Sequence, residues 1–567
     1  MEHLHPADWL VLIVYFVGIM LVGVWAAKRI GNIGDFFMPR KFGKWMMVMH
    51  GFGTGTHSDQ AVSVASKSFT NGLSGIWYQW LWLFATPFYW LIAPIMRRFR
   101  ALTTADVFVA RFGPSVGMLF ALVGMLSLMI NIGVMLKGSG EVVSASFGQM
   151  ISSDMVILIM TVLFLIYGVA GGLAAAIITD FIQGIMTIIF SFALLPFVLN
   201  AVGGISGMKE KITDSHMFSL VAPAEIGLFY IIVIALNALI GIVTQPHTMG
   251  NCAAGRTEFD GRFGFMLGSF TKRLCTAAWC LTGLAAVAYL AGKDVNPDHV
   301  FGIIARDFLP KIMPGMLGIF LASLAASVMS SCDSFMIASS ALFTENVYKH
   351  LLPSKSDKHY VVVGRATSFV VVAGGVLFAY WLPGVVAGLE IFWKIAPMMG
   401  IAFWLGLFWR RTTTAGAWAS TLAAFAIWFL TTQDFFVSFM QNLPCCETLR
   451  FVFIQDGKPE IYLPWQMVFY LIGGTLAGIF ISLITKPISA EKLDNFYALV
   501  RTPSRLGEKI LAPCTLPVDA VIPPKRKLIP LKNFEILIPN LKSILGFLAG
   551  WAIVAALIYS IYLIVRT

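Results

Sequence analysis

Gly51-Phe52-Gly53-Thr54-Gly55-Thr56-His57-Ser58-Asp59-Gln60 lies inside an apolar run, residues 45–66, that is otherwise long enough to cross a lipid bilayer. Three glycines and a cluster of polar side chains at that depth predict an unwound helix. Lipid offers no partner to a freed peptide group, so such backbone persists only where it lines a cavity or holds an ion. The plainer reading is a packing kink, because glycine is common in membrane helices. A second run, 225–248, is interrupted in the same way by Gly241 and by Thr244-Gln245-Pro246-His247. Two breaks at corresponding places in two halves of a chain point to a binding site.

The rest of the sequence supplies the setting for these breaks. Of 567 residues, 58% are hydrophobic and only 12% charged, with a mean hydropathy of +0.80. That composition excludes a soluble globular domain. A bilayer core of about 30 Å needs roughly 20 apolar residues per helix. Fourteen stretches qualify, centred on 9–28, 45–66, 76–98, 115–143, 153–171, 175–200, 225–248, 265–292, 311–346, 361–381, 385–409, 413–432, 465–487 and 543–565. The first is followed by Lys28 and Arg29 without a small-residue cleavage site, so it reads as a retained span with an external N-terminus.

With that orientation most of the 40 Lys and Arg residues fall on the cytoplasmic side, and Lys137 and Lys394 fall within spans. The net charge of +11 therefore expresses the positive-inside pattern and contact with anionic lipid, and nucleic-acid binding is not expected. Seven cysteines show no metal-ligand spacing. Cys445 and Cys446, in an external loop, read as free or externally paired thiols, and Cys332 as a packing residue.

Counting from each break, spans two to six and seven to eleven form two sets of five. An odd number of crossings makes the second set enter with inverted topology. The expected division is an extra helix over 1–40, a first inverted repeat over 41–205, a second over 206–411, and additional helices with an external loop over 412–487. An irregular cytoplasmic linker at the membrane surface over 488–542 and a last helix over 543–567 complete it.

Several residues could carry chemistry. Span nine holds Ala325-Ala326-Ser327-Val328-Met329-Ser330-Ser331-Cys332-Asp333-Ser334, a strip of small hydroxyls suited to a hard monovalent cation, although such strips also serve close packing. Asp59, Asp180 and Asp333 lie at membrane depth, where carboxylates are expensive and mark function unless they are neutralised structural acids. Lys137 with Glu141, and Glu390 with Lys394, are spaced i, i+4 and either neutralise themselves or release a lysine toward an anionic solute. Tyr78, Gln79, Trp82, Thr244, Gln245 and His247 complete the solute-contact candidates. His57 and His247 are able to titrate or to donate a hydrogen bond.

Taken in order, several local motifs resemble the sodium/solute symporter family, nearest its proline-permease branch. They are Thr103–Gly113 (TTADVFVARFG), Gly171–Gln183 (GGLAAAIITDFIQ), the Ser330-Ser331 helix, and Gly406–Arg411 (GLFWRR) followed by Gly416-Ala417. The Ser58-Asp59 and Gln245-Pro246-His247 words look like the proline branch, but Met249-Gly250 stands where an arginine is usual and Lys67 is atypical. The resemblance implies an all-α polytopic membrane protein with a five-plus-five inverted-repeat core of the LeuT type, one extra N-terminal and three extra C-terminal helices. It implies a sodium ion held by the carbonyls of His57 and Gln60, the carbonyl of Ser327 and the hydroxyls of Ser330 and Ser331. A second sodium would fall on Asp180, Ser330, Asp333 and Ser334, with Asp333 where that pattern has a hydroxyl.

The expected function is sodium-coupled symport of a small polar solute of amino acid, carboxylate or sugar type by alternating access, with a monomer as the working unit in the plasma or inner membrane. Three rivals stand beside it. A proton-coupled carrier would titrate Asp59, Asp180 or His247; a sensor would need an output domain; an enzyme would need a nucleophile or metal constellation that the sequence lacks.

Overall fold

The first break is seen directly in the computed structural model, which describes residues 5–27, 38–222, 225–455, 457–508 and 510–566. Helix α1 spans Pro6–Ala27, and α2 (Lys44–Gly53) and α3 (Ser58–Asn71) are the two halves of the broken span. Between them His57 is extended, with φ −143° and ψ 168°. The chain returns through α4 (Thr86–Arg98), α5 (Pro114–Ser146) and α6 (Ser153–Phe192). Lys28 and Arg29 lie outside the described residues.

The second half repeats the device. Helix α7 (Leu228–Gly241) ends in a short turn, Gln245 is extended, and α8 (Thr248–Ala253) resumes. Then come α9 (Glu258–Tyr289), α10 (Met316–Phe343), α11 (Asp357–Trp381) and α12 (Val385–Phe408). Helices α13 (Thr414–Thr431), α14 (Leu463–Ile484), α15 (Ala490–Arg501) and α16 (Leu541–Arg566) follow.

Among the described residues nine helices are long and apolar enough to cross a membrane. The other expected stretches are the two broken spans, the piecewise 76–98, the short run beginning at Ser153 and the charge-bearing α9. Perimeter helices expose large apolar side chains such as Leu21, Leu377 and Phe480, as a lipid-facing belt requires. Inside, small residues allow close helix approach in place of a water-driven hydrophobic effect. A Cβ on Gly138 of α5 would stand 2.5 Å from the Asp59 backbone, which fixes α5 against the first residues of α3.

Two sequence expectations need correction. Spans 153–171 and 175–200 were expected as separate helices, yet the backbone is helical throughout Ser153–Phe192. Gly171-Gly172 is followed at once by Leu173 and three alanines, strong helix formers that carry the chain through. Segment 488–542 is also more than a surface linker. It contains α15, whose Leu493, Phe496, Tyr497 and Val500 are buried, and its return strand is bonded to the end of α12. Glu535 N–H donates to the Phe408 carbonyl at 2.9 Å and Arg410 N–H to the Asn533 carbonyl at 2.8 Å. The 433–464 loop, too, is ordered locally, with an antiparallel hairpin of β1 (Val452–Gln455) and β2 (Lys458–Ile461). Cys445 and Cys446 are both free thiols.

Candidate functional site

The first break rests on α10. Gly53 ends α2, and its carbonyl accepts the Ser331 hydroxyl at 2.9 Å. Thr54 Oγ1 lies 3.3 Å from Ser334 Oγ and 3.2 Å from His50 Nδ1. The same His50 nitrogen is 2.6 Å from Asp180 Oδ2 on α6, and the other Asp180 oxygen accepts the Ser330 hydroxyl. Gly53 permits this meeting because it has no side chain: a Cβ there would stand 2.7 Å from Ser330 Oγ. Three elements far apart in sequence thus converge at the end of α2.

Beyond this knot the break and the first turn of α3 are rich in unused oxygen. Thr56 Oγ1, Ser58 Oγ, Asp59 Oδ2 and Gln60 Oε1 are buried with no hydrogen-bond partner. Buried polar atoms are rarely left so, and several together mark a place where a ligand completes the set. His57 is bonded on one side to Asp59 and on the other to Gln60 Nε2, at 3.0 Å. Oxygen without sulfur or transition-metal spacing suits a hard cation such as sodium.

The expected sodium ligands separate into two groups. Ser331 donates to the Gly53 carbonyl of the break, whereas Ser330 donates to Asp180 of α6. Ser327, expected to contribute its carbonyl, has its hydroxyl turned back to the Leu324 carbonyl of its own helix at 2.7 Å. Of the expected second set, Asp180, Ser330 and Ser334 gather, and Asp333 is buried on the same helix. That second set has an occupant the sequence did not suggest, because the His50 ring already engages Asp180.

The solute candidates spread over more than one place. Tyr78 donates to Glu390 at 2.9 Å and packs on Trp393 with ring centroids 5.3 Å apart, so α12 meets the start of the 76–98 span. Thr244 of the second break donates to the Ala396 carbonyl at 2.7 Å. His247 stacks on Phe335 at 4.6 Å, and the His57 ring lies 6.3 Å from the same phenylalanine. Phe335 therefore stands between the breaks. Gln245 is buried, and a cavity of about 30 Å³ lined by Thr54, Pro246, His247 and Ser334 joins both breaks to Leu102 and Thr103.

The two i, i+4 expectations have different outcomes. Lys137 and Glu141 do pair at 3.1 Å, but Glu141 also accepts from His299 and Ser153, so this is a network near the end of α5. Glu390 and Lys394 do not pair: Glu390 takes Tyr78, and Lys394 donates to Gln466 of α14 at 3.2 Å. A lysine on that face of α12 looks outward to the added helices, away from the breaks.

Sequence reading missed Lys272 and Arg273, which stand in the middle of α9. Lys272 donates to the Gly55 carbonyl within the break, and Arg273 donates to the Gln79 carbonyl at 2.7 Å. The signal was present, since ionisable residues inside the apolar run 265–292 deserve the suspicion given to Lys137. His50 was missed because one histidine in an apolar helix has no spacing partner.

Comparison with known proteins adds the family. The sequence model of the sodium:solute symporter family matches residues 36–424. The chain is 23% identical over 575 residues to the sodium/myo-inositol cotransporter 2 of Oryctolagus cuniculus, covering 92% of this chain and 82% of that protein. It is 26% identical over 444 residues to the osmoregulated proline transporter OpuE of Bacillus subtilis (strain 168), covering 74% and 88%. Among solved structures, a sodium-coupled sialic acid symporter in a substrate-bound outward-open state superposes with a TM-score of 0.69 at 20% identity, over 86% of this chain and 99% of that one. At that identity the likeness carries the fold alone.

Proposed function

The chain belongs to the sodium:solute symporter family, and from that premise we propose that its sodium site is the contact between the first break and α10. The protein is a secondary transporter with a LeuT-type helical fold, coupling sodium to the movement of a small solute. The observation that carries the site is the Ser331 hydroxyl on the Gly53 carbonyl, with orphaned oxygens of Thr56, Ser58 and Gln60 next in the chain. Sodium is placed between the His57 and Gln60 carbonyls, the Ser327 carbonyl and the Ser330 and Ser331 hydroxyls. Asp180, paired with His50, leaves the second set closed, and the transporter couples one sodium per solute.

Orientation follows from charge. Arg98, Arg100, Arg111 and Arg410 cluster at one end of the bundle, and by the positive-inside pattern that end is cytoplasmic, with the N-terminus external and the protein in the plasma or inner membrane. The working unit is a monomer in contact with lipid. Sodium entering from the opposite end bridges the break and α10, and it shifts the conformational equilibrium by its differential affinity for the two states. Sodium-dependent uptake in proteoliposomes tests the reading: a Ser330→Ala, Ser331→Ala double variant should lose sodium-dependent thermal stabilisation, and an unchanged sodium response rejects the site.

A further inference from the structure

Residues 526–538 fold back on themselves at the arginine-rich end of the bundle. Leu528 N–H donates to the Ile536 carbonyl at 2.8 Å and Ile538 N–H to the Arg526 carbonyl at 3.0 Å, with Lys527 and Leu537 paired antiparallel. Lys527 turns inward, 3.3 Å from Glu535, which is buried and also holds Arg410 at 2.8 Å. The base of this hairpin is therefore fixed. Its tip is bare: Leu528 and Leu531 are 62% and 56% exposed, and Ile529 and Pro530 between them are exposed as well. Arg526 and Lys532 flank the tip, exposed, and among the described residues neither forms an ion pair.

A contiguous apolar patch rimmed by charge marks a protein or a membrane partner. Position decides between them. The hairpin is bonded to the foot of α12 through Phe408 and Arg410, and only Pro539 and Asn540 separate Ile538 from the first residue of α16. Extended chain covers about 3.5 Å per residue, so Ile538 lies within about 11 Å of the start of a spanning helix. The helix ends that bracket the segment carry the same pairing of apolar surface with charge. Ile484 closes α14 and Leu541 opens α16, 64% and 69% exposed, each within two residues of an exposed lysine, Lys486 and Lys542. Lipid covers such positions on spanning helices, and the tip continues that belt.

We propose that this hairpin is a peripheral membrane anchor that recognises acidic phospholipid. Leu528, Ile529 and Leu531 seat among the acyl chains of the adjoining leaflet, and Arg526 and Lys532 lie on its anionic headgroups. Lys525 is held back by Asp494, at 3.5 Å. Because Glu535 and Asn533 tie the hairpin to the foot of α12, seating the tip also steadies that helix end. The anchor serves whichever solute is carried.

The test uses full-length protein reconstituted in vesicles of phosphatidylcholine alone, or of equal parts phosphatidylcholine and phosphatidylglycerol. Leu531→Cys, made together with Cys445→Ser and Cys446→Ser, carries an environment-sensitive fluorophore at the tip, and the same chain with Leu531 intact is the blank. In the acidic vesicles, nitroxides on the acyl chains should quench the label and iodide in the water should not; in the neutral vesicles iodide should gain access. Arg526→Gln and Lys532→Gln should each lower the ratio of seated to exposed label about fivefold in acidic vesicles. The thermal response to sodium should persist in both. A label placed alike in both vesicle types overturns the inference, whether it stays open to iodide, as a soluble partner would require, or stays seated without regard to charge. Seating that survives both glutamine substitutions overturns it too, as does seating that fades when the protein is diluted in lipid, the mark of a second copy as occupant.

Discussion

The Ser331 hydroxyl donates to the Gly53 carbonyl at 2.9 Å, joining positions 278 residues apart in the chain. The last carbonyl of α2, which also accepts the Thr56 N–H at 3.3 Å, is thereby tied to α10.

Ser331→Ala removes that donor and one proposed sodium ligand. A hydrogen bond of this kind contributes about 1 kcal/mol, so the fold should survive while apparent sodium affinity falls about tenfold. Titrating sodium against melting temperature checks this.

Gly53→Ala tests the closeness of the same contact. Its new methyl would stand 2.7 Å from Ser330 Oγ and 3.6 Å from the Asp180 Cβ. Overpacking of this degree costs about 1–3 kcal/mol, and calorimetry should show that loss together with weaker sodium binding.

Asp180→Asn breaks the buried contact with His50. Breaking one partner of such a pair costs about 3–5 kcal/mol. The melting temperature should drop, yet sodium should still stabilise the variant with a Hill coefficient near that of the unmutated protein, about one by simple one-site linkage. Cooperative sodium binding in the unmutated protein would restore a second ion.

Tyr78→Phe releases Glu390 on the side away from the arginine cluster. A hydrogen bond to a charged group contributes about 1.5–3 kcal/mol. If this contact between the 76–98 span and α12 holds that side shut, weakening it should raise the population open to sodium, and apparent sodium affinity in flux measurements should tighten about tenfold. An unchanged affinity would show that Tyr78 does not guard that side.

Arg100→Ala tests the docked segment. Its guanidinium donates to the carbonyls of Thr502 and Pro503 and to Glu508, while the residue is 1% exposed. Removing it strands Glu508, and a loss of about 3–5 kcal/mol is expected in thermal unfolding.

Sequence alone disclosed what lipid enforces. Apolar length marked the spans, and glycine with polar residues at bilayer depth marked both breaks, because helix interruption there has few alternatives. Ser330 and Ser331 stood out as hydroxyls on an apolar helix, and the structure brings Ser331 to the end of α2 and Ser330 to Asp180. What stayed hidden depends on which face a residue turns to which neighbour. Lys394 looked equivalent to Lys137 by spacing, yet α12 turns it to Gln466. His50 and Lys272 acquire meaning only when α6 and α9 are brought against the break. The continuous helix through Gly171-Gly172 was hidden because two glycines weaken a helix without dictating a turn.

The docked stretch between α14 and α16 grips two helices of the bundle on a single side. It holds Arg98 and Arg100 at the foot of α4 through the carbonyls of Val500, Thr502 and Pro503, and the foot of α12 through Tyr497 and Glu535. Those two feet cannot drift apart there without stretching or tearing the tether. Any motion that separates those two feet strains this stretch, so the segment acts as an elastic link between α4 and α12.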